Sequence, residues 1–167
     1  MNRVSGGAGL ESLSIIAAAL IVAAALLISG RGENDSDQPV KQVVTEPGFP
    51  ADVPFAPAVR VDELLFLSGQ VGVLPGTMEL VDGGLEAEAH QTMVNIGRVL
   101  EAAGAGFEDL IKCTVFLDDI GDWEAFNEVY RAYFDGEQPA RSAFGTTGLA
   151  LGAAVEVECI AALPDED

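Results

Sequence analysis

Apolar and polar positions follow several rhythms along the chain, and each rhythm predicts a different element. Residues 13–28 form an uncharged run rich in Ala, Ile and Leu, bounded by Arg3 and Glu11 on one side and by Arg31, Glu33, Asp35 and Asp37 on the other. A bilayer span needs about 17–25 apolar residues, so the run is at the short end of a span and slightly over the core of a signal peptide. It reads as an export signal or membrane anchor occupying 1–30, the anchor slightly favoured because no small-x-small cleavage site stands clearly at its end. That assignment predicts an exported protein, either held in a membrane through 13–28 and facing outward or released as a periplasmic or secreted domain. An acidic linker over 31–39, a globular domain over 40–163 and an acidic tail over 164–167 follow.

Within the domain, apolar alternation predicts a short strand over 40–46 and a hairpin over 59–61 and 64–71 that turns at Asp62-Glu63. The stretch 47–57 is rich in proline, which removes ladder donors and restricts its neighbours, and reads as irregular. The rhythm then lengthens. Leu85, Ala89, Met93, Ile96, Leu100 and Ala103 recur at three- and four-residue steps on one helical face, and Gly104 is a natural stop. Alternation returns over 109–117, with Ile111, Cys113, Val115 and Leu117 on one face and Lys112 and Thr114 on the other. Asp122 is placed to cap a second helix with an apolar stripe of Trp123, Phe126, Tyr130, and Tyr133 or Phe134. Residues 140–146 and 154–162 read as the last strands. The order predicts an α+β domain, a mixed sheet with two helices on one face.

A chain of 167 residues supports one core of ordinary size. Its net charge of −19 excludes a phosphate-backbone surface, which needs clustered Lys and Arg to displace counterions. No nucleic-acid partner is expected. His90 is the single histidine and no CxxC spacing occurs, so no metal site is expected. Cys113 and Cys159 each lie in an apolar alternating run and read as small buried hydrophobes; a disulfide between them stays open.

Particular stretches then stand out together: Leu65-Phe66-Leu67-Ser68-Gly69-Gln70, Asn127-Glu128-Val129-Tyr130, and Pro139-Ala140-Arg141-Ser142 followed by Val155-Glu156-Val157-Glu158. With the helix end Leu100-Glu101-Ala102-Ala103-Gly104, their order and spacing resemble the RidA/YjgF family over about 40–163. The resemblance implies a chorismate mutase-like fold, and a homotrimer whose sheets join into a barrel with active sites in the clefts between subunits. It also implies hydrolytic deamination of reactive 2-imino and enamino acids to 2-oxo acids and ammonium, without metal or organic cofactor. Residue by residue, Arg141 matches the arginine that holds the substrate carboxylate, and Glu156 the acid that positions the attacking water. Ser68 and Asn127 match two residues that line the cleft.

The residue types suit that chemistry. Arginine presents a planar, permanently charged fork that grips a carboxylate by two parallel hydrogen bonds. A protonated imine is electrophilic, so its hydrolysis needs an oriented water and a carboxylate to accept a proton; partial burial would raise the Glu156 pKa toward a useful range. Some positions depart from the family. Phe55 keeps a ring where a tyrosine is common and remains a candidate substrate contact. Pro57 replaces a glutamine, Ala143 a common cysteine, and Leu149-Ala150 a Leu-Pro turn. The competing reading is a non-catalytic module that binds a small carboxylate in the same cleft. A ribonuclease is disfavoured by the charge, and a chorismate mutase by the lack of cationic groups beside Arg141.

Overall fold

The computed structural model describes residues 40–163; the hydrophobic segment, the linker and the acidic tail assigned from the sequence lie outside the described residues. The strands are β1 (Lys41–Val44), β2 (Ala58–Val61), β3 (Leu64–Leu67), β4 (Gln70–Val71), β5 (Leu110–Leu117), β6 (Ala140–Gly145) and β7 (Val155–Ala162). The helices are α1 (Gly84–Ala102) and α2 (Trp123–Arg131). The sheet runs β1-β2-β3-β7-β5-β6, and β4 pairs with β7 beyond the end of β3. Only β5 and β6 are parallel, and the chain passes through α2 between them, as a parallel connection requires. The predicted mixed sheet with two helices is what forms.

Alternation decides which face of the sheet is covered. Cys113, Val115 and Leu117 of β5 and Val155, Val157, Cys159 and Ala161 of β7 meet Met93, Ile96 and Leu100 of α1 and Phe126 and Tyr130 of α2 in one core. Each large apolar side chain buried there stabilises by about 1.5–3 kcal/mol against leaving it in water. The opposite face is open. Across it run Val43, Val59, Phe66 and Ile160 in register, and further along Phe116 lies beside Phe144. Val43, Phe66 and Phe144 are exposed.

Several details depart from the pattern read along the chain. The expected strand over 64–71 breaks at Ser68-Gly69 into β3 and β4, both of which pair with β7. Ile111, expected on the buried face, is exposed, because the register against β7 skips it: Leu110 faces Ala161 and Lys112 faces Ile160. That bulge turns Leu110 inward instead. Asp122 occupies the N-cap position of α2 without a side-chain bond, whereas Asp119 accepts from the Gly121 N–H one turn earlier. Gly104 stops α1 as expected, with φ at 75° and its N–H on the Glu101 carbonyl.

Cys113 and Cys159 are directly opposed on β5 and β7 with Cα atoms 4.1 Å apart, and they are joined by a disulfide. The preference for two separate small hydrophobes is thereby corrected, although both remain buried. The expectation of a signal peptide or transmembrane helix, and with it of an exported or membrane-anchored protein, is corrected as far as the described residues go; the run 13–28 that carried it lies outside them. No helix among the described residues is long and apolar enough to cross a membrane. Both helices are amphipathic and spend their apolar faces on the sheet.

Candidate active site

Arg141 lies on β6 opposite Cys113, so its side chain leaves the sheet on the helix-covered face. There α2 holds it from two directions. The Arg141 Nη2 group donates to Asn127 Oδ1, and the guanidinium lies over the Tyr130 ring, 4.6 Å from its centroid, and 5.7 Å from that of Phe126. Phe126 and Tyr130 are one helical turn apart and share a face, and Asn127 borders it, so a single helix supplies all three contacts. A cation over an aromatic face contributes roughly 0.5–2 kcal/mol. Burial pushes the Tyr130 hydroxyl up to about 12, against the opposing pull of Arg141. Its oxygen is buried without a hydrogen-bond partner among the described residues. Burial also lowers the Arg141 pKa, with Tyr130 acting to raise it and Arg131 to lower it.

Glu156 lies on β7 between the buried Val155 and Val157 and therefore points to the other face. Its carboxylate reaches over Gly69, where a side chain would overlap it: a Cβ on residue 69 would collide with Glu156 Oε1. Gly69 leaves the carboxylate that room, and it is also where the β3–β4 strand breaks. Burial raises the Glu156 pKa above its ordinary value, and Glu158 on the same strand raises it further. Beside the carboxylate opens a cleft of about 470 Å³, walled by Phe49, Phe55, Val71, Met78 and Leu151 among others.

Two polar residues of α1 set this strand in place, and neither was singled out from the sequence. Glu88 accepts from the Ala154 N–H at 2.8 Å, just before β7 begins. Asn95 donates to the carbonyls of Val71 and Val73, both at 2.9 Å, and Val71 is the β4 residue opposite Glu156. Both lie on the buried side of α1 among apolar neighbours. That interruption of an apolar stripe by polar side chains was the available signal, since buried polar groups require partners.

The remaining candidates divide between these places. Phe55 is exposed on the cleft wall, edge-on to Phe49 with ring centroids 5.8 Å apart. Ser68 donates its hydroxyl to the Ala56 carbonyl at 2.7 Å, tying the proline-rich segment that carries Phe55 to the end of β3. Pro57 contributes its carbonyl, which accepts from Ser68 N–H, a role that does not depend on its ring. Asn127 belongs to Arg141. Within one chain Arg141 and Glu156 are not brought together: they lie two strands apart, three residues out of register, and on opposite faces. Strand spacing puts their Cα atoms roughly 14 Å apart.

Residues 45–163 match the family described as Endoribonuclease L-PSP, close to the whole of the described chain. The chain belongs to this family, the RidA/YjgF group that its motifs resemble. A mouse relative of this L-PSP family member, 2-iminobutanoate/2-iminopropanoate deaminase, is 42% identical over 123 residues, covering 73% of this chain and 91% of the relative. Reactive Intermediate Deaminase A, chloroplastic, from Arabidopsis thaliana is 38% identical over 124 residues, covering 74% of this chain and 66% of that protein. Among solved structures, RidA from an Antarctic Psychrobacter superposes with a TM-score of 0.69 at 36% identity, covering 73% of this chain and 99% of the other.

Proposed function

We propose that this RidA/YjgF family member hydrolyses 2-imino and enamino acids to 2-oxo acids and ammonium, with residues 40–163 as the working domain. The observation that carries the reading is the Glu156 carboxylate, held over Gly69 at the mouth of a cleft with its pKa raised by burial. The two relatives named as deaminases support it. A small-molecule substrate fits a concave, partly apolar site better than RNA does, and the −19 charge opposes a ribonuclease despite the family's description.

In this mechanism Arg141 grips the substrate carboxylate through its fork, while Asn127 and Tyr130 fix the plane of the guanidinium. Glu156 accepts a proton from a water that adds to C2 of the protonated imine, forming a carbinolamine. The same carboxyl group returns that proton to the nitrogen and then takes the carbinolamine's hydroxyl proton as the C–N bond breaks; ammonia leaves, picks up that proton as ammonium, and the 2-oxo acid stays behind. A carboxylate with a raised pKa suits both halves of that exchange near neutral pH.

Since Arg141 and Glu156 leave opposite faces of the sheet, a substrate that touches both must lie between chains. A homotrimer with joined sheets supplies such clefts. The exposed Val43, Phe66 and Phe144 of the open face support the same assembly, because large apolar side chains left uncovered on a sheet call for a partner. The test is ammonium and 2-oxo acid release from freshly generated 2-iminopropanoate, beside Arg141→Ala and Glu156→Gln. Acceleration over the spontaneous rate that both variants lose supports a deaminase. A wild-type rate equal to the spontaneous one across several imino acids, with ligand affinity retained in Glu156→Gln, would leave the carboxylate-binding module instead.

A further inference from the structure

We propose that the cleft beside Glu156 is a side-chain subsite for 2-imino acids with a large apolar side chain, and that Leu151 is its specificity-determining residue. The inference rests on the deaminase reading of Glu156 and goes on to name the substrate class. The charged side chains that line the cleft, Asp52 and Glu156, are both acidic, so the substrate carboxylate is repelled from it. With C2 held at Glu156 and the carboxylate directed elsewhere, the group left to enter the cleft is the substrate's own side chain. Phe49, Val53, Phe55, Val71, Met78 and Leu151 present it with an apolar wall. Phe55, Met78 and Leu151 are each about half exposed, at 52%, 50% and 49%. Their apolar surface is not spent on the core of this chain. A methyl group fills little of some 470 Å³, whereas a leucine or methionine side chain covers these residues and removes their surface from water.

Leu151 carries an independent observation. Its backbone is left-handed, with φ 61° and ψ 5°, in a short turn formed with Ala150 and Gly152. Glycine adopts that conformation without steric cost, while a branched side chain is strained there. Core packing does not account for a leucine at this position, because the side chain is half exposed. Its place does, since it lines the cleft together with Phe55 and Met78. Strain retained at a cleft beside a reactive group is where functional side chains are found.

The experiment uses the full chain and compares kcat/KM for imines generated in place from alanine, leucine and methionine by an amino-acid oxidase, reading 2-oxo acid and ammonium. The leucine- and methionine-derived imines are expected to be preferred over the alanine-derived one by about tenfold or more. Leu151→Gly, which suits the local backbone and is expected to fold, lowers that ratio several-fold; Met78→Ala lowers it in the same direction. If the alanine-derived imine is accelerated but the wild-type ratio is near one, or is unchanged in Leu151→Gly, the subsite is overturned and the deaminase reading stands. If no imine is accelerated, the deaminase reading fails and the subsite falls with it.

Discussion

The two faces of the sheet treat their functional side chains in opposite ways. On the helix-covered face Arg141 is clasped: one bond to Asn127, one ring beneath it, another beside it, all from α2. On the open face Glu156 hangs over a glycine, and its environment disfavours the charged form through burial and the neighbouring Glu158. A group that must hold a substrate in one place benefits from a rigid setting, and its partners stabilise the fold as they orient it. A group that must take and return a proton benefits from a setting that does not stabilise one protonation state strongly. The same sheet provides both because alternation sends neighbouring side chains to different environments.

The sharpest way to break the comparison is Glu156→Gln. Turnover of 2-imino acids is expected to fall about 10²–10⁴-fold, the range typical of losing a general base. Its urea midpoint near neutral pH should be unchanged or higher, since the variant removes a disfavoured charge. The sign follows from the raised pKa. Native Glu156 keeps its proton to higher pH than the unfolded chain does, so its contribution to stability is fully present below the unfolded pKa and is lost as pH rises through the folded one. A clear loss of stability in the variant would show that Glu156 is structural as well.

The disulfide lies between the two faces' active groups, because Cys113 is the neighbour of Arg141 on one side and of Cys159 on the other, and Cys159 shares β7 with Glu156. Reduction is expected to destabilise the domain by about 2–4 kcal/mol, measured by urea unfolding with and without reductant. Arg141→Ala should cost about 1–3 kcal/mol as well, because it leaves the buried Asn127 amide oxygen without its partner, and it should raise KM steeply. Stability equal to wild type would mean that the clasp serves substrate alone.

Tyr130 sharpens the comparison further, since it acts through Arg141 and not on the substrate. Tyr130→Phe should retain KM because the ring remains, while Tyr130→Leu should raise KM several-fold with a smaller change in kcat. Equal effects of the two variants would remove the stack from the account. The smallest effect is in the pH profile. The acid limb of kcat/KM should fall at a pH above the ordinary carboxylate range, following the raised Glu156 pKa, and should disappear in Glu156→Gln.

Much of this protein was legible along the chain. Period decides face within a strand or a helix, so the apolar stripe of α1, the alternation of β7 and the stop at Gly104 could be read from neighbours a few residues apart. The motifs around Ser68, Asn127, Arg141 and Glu156 also carried the family. Other features depended on partners far away in sequence. Ile111 points outward because β7 skips it, and strand 64–71 breaks at Ser68-Gly69, where the Glu156 carboxylate from β7 lies over Gly69. Cys113 and Cys159 are joined because β5 and β7 pair in the register that opposes them. Arg141 and Glu156 each follow a local alternation, but that they face away from each other depends on the order in which β6, β5 and β7 are assembled. Local sequence determines which way a side chain points from its own backbone; only tertiary pairing decides what that direction meets, because register and strand order are set by contacts between segments that no local pattern contains.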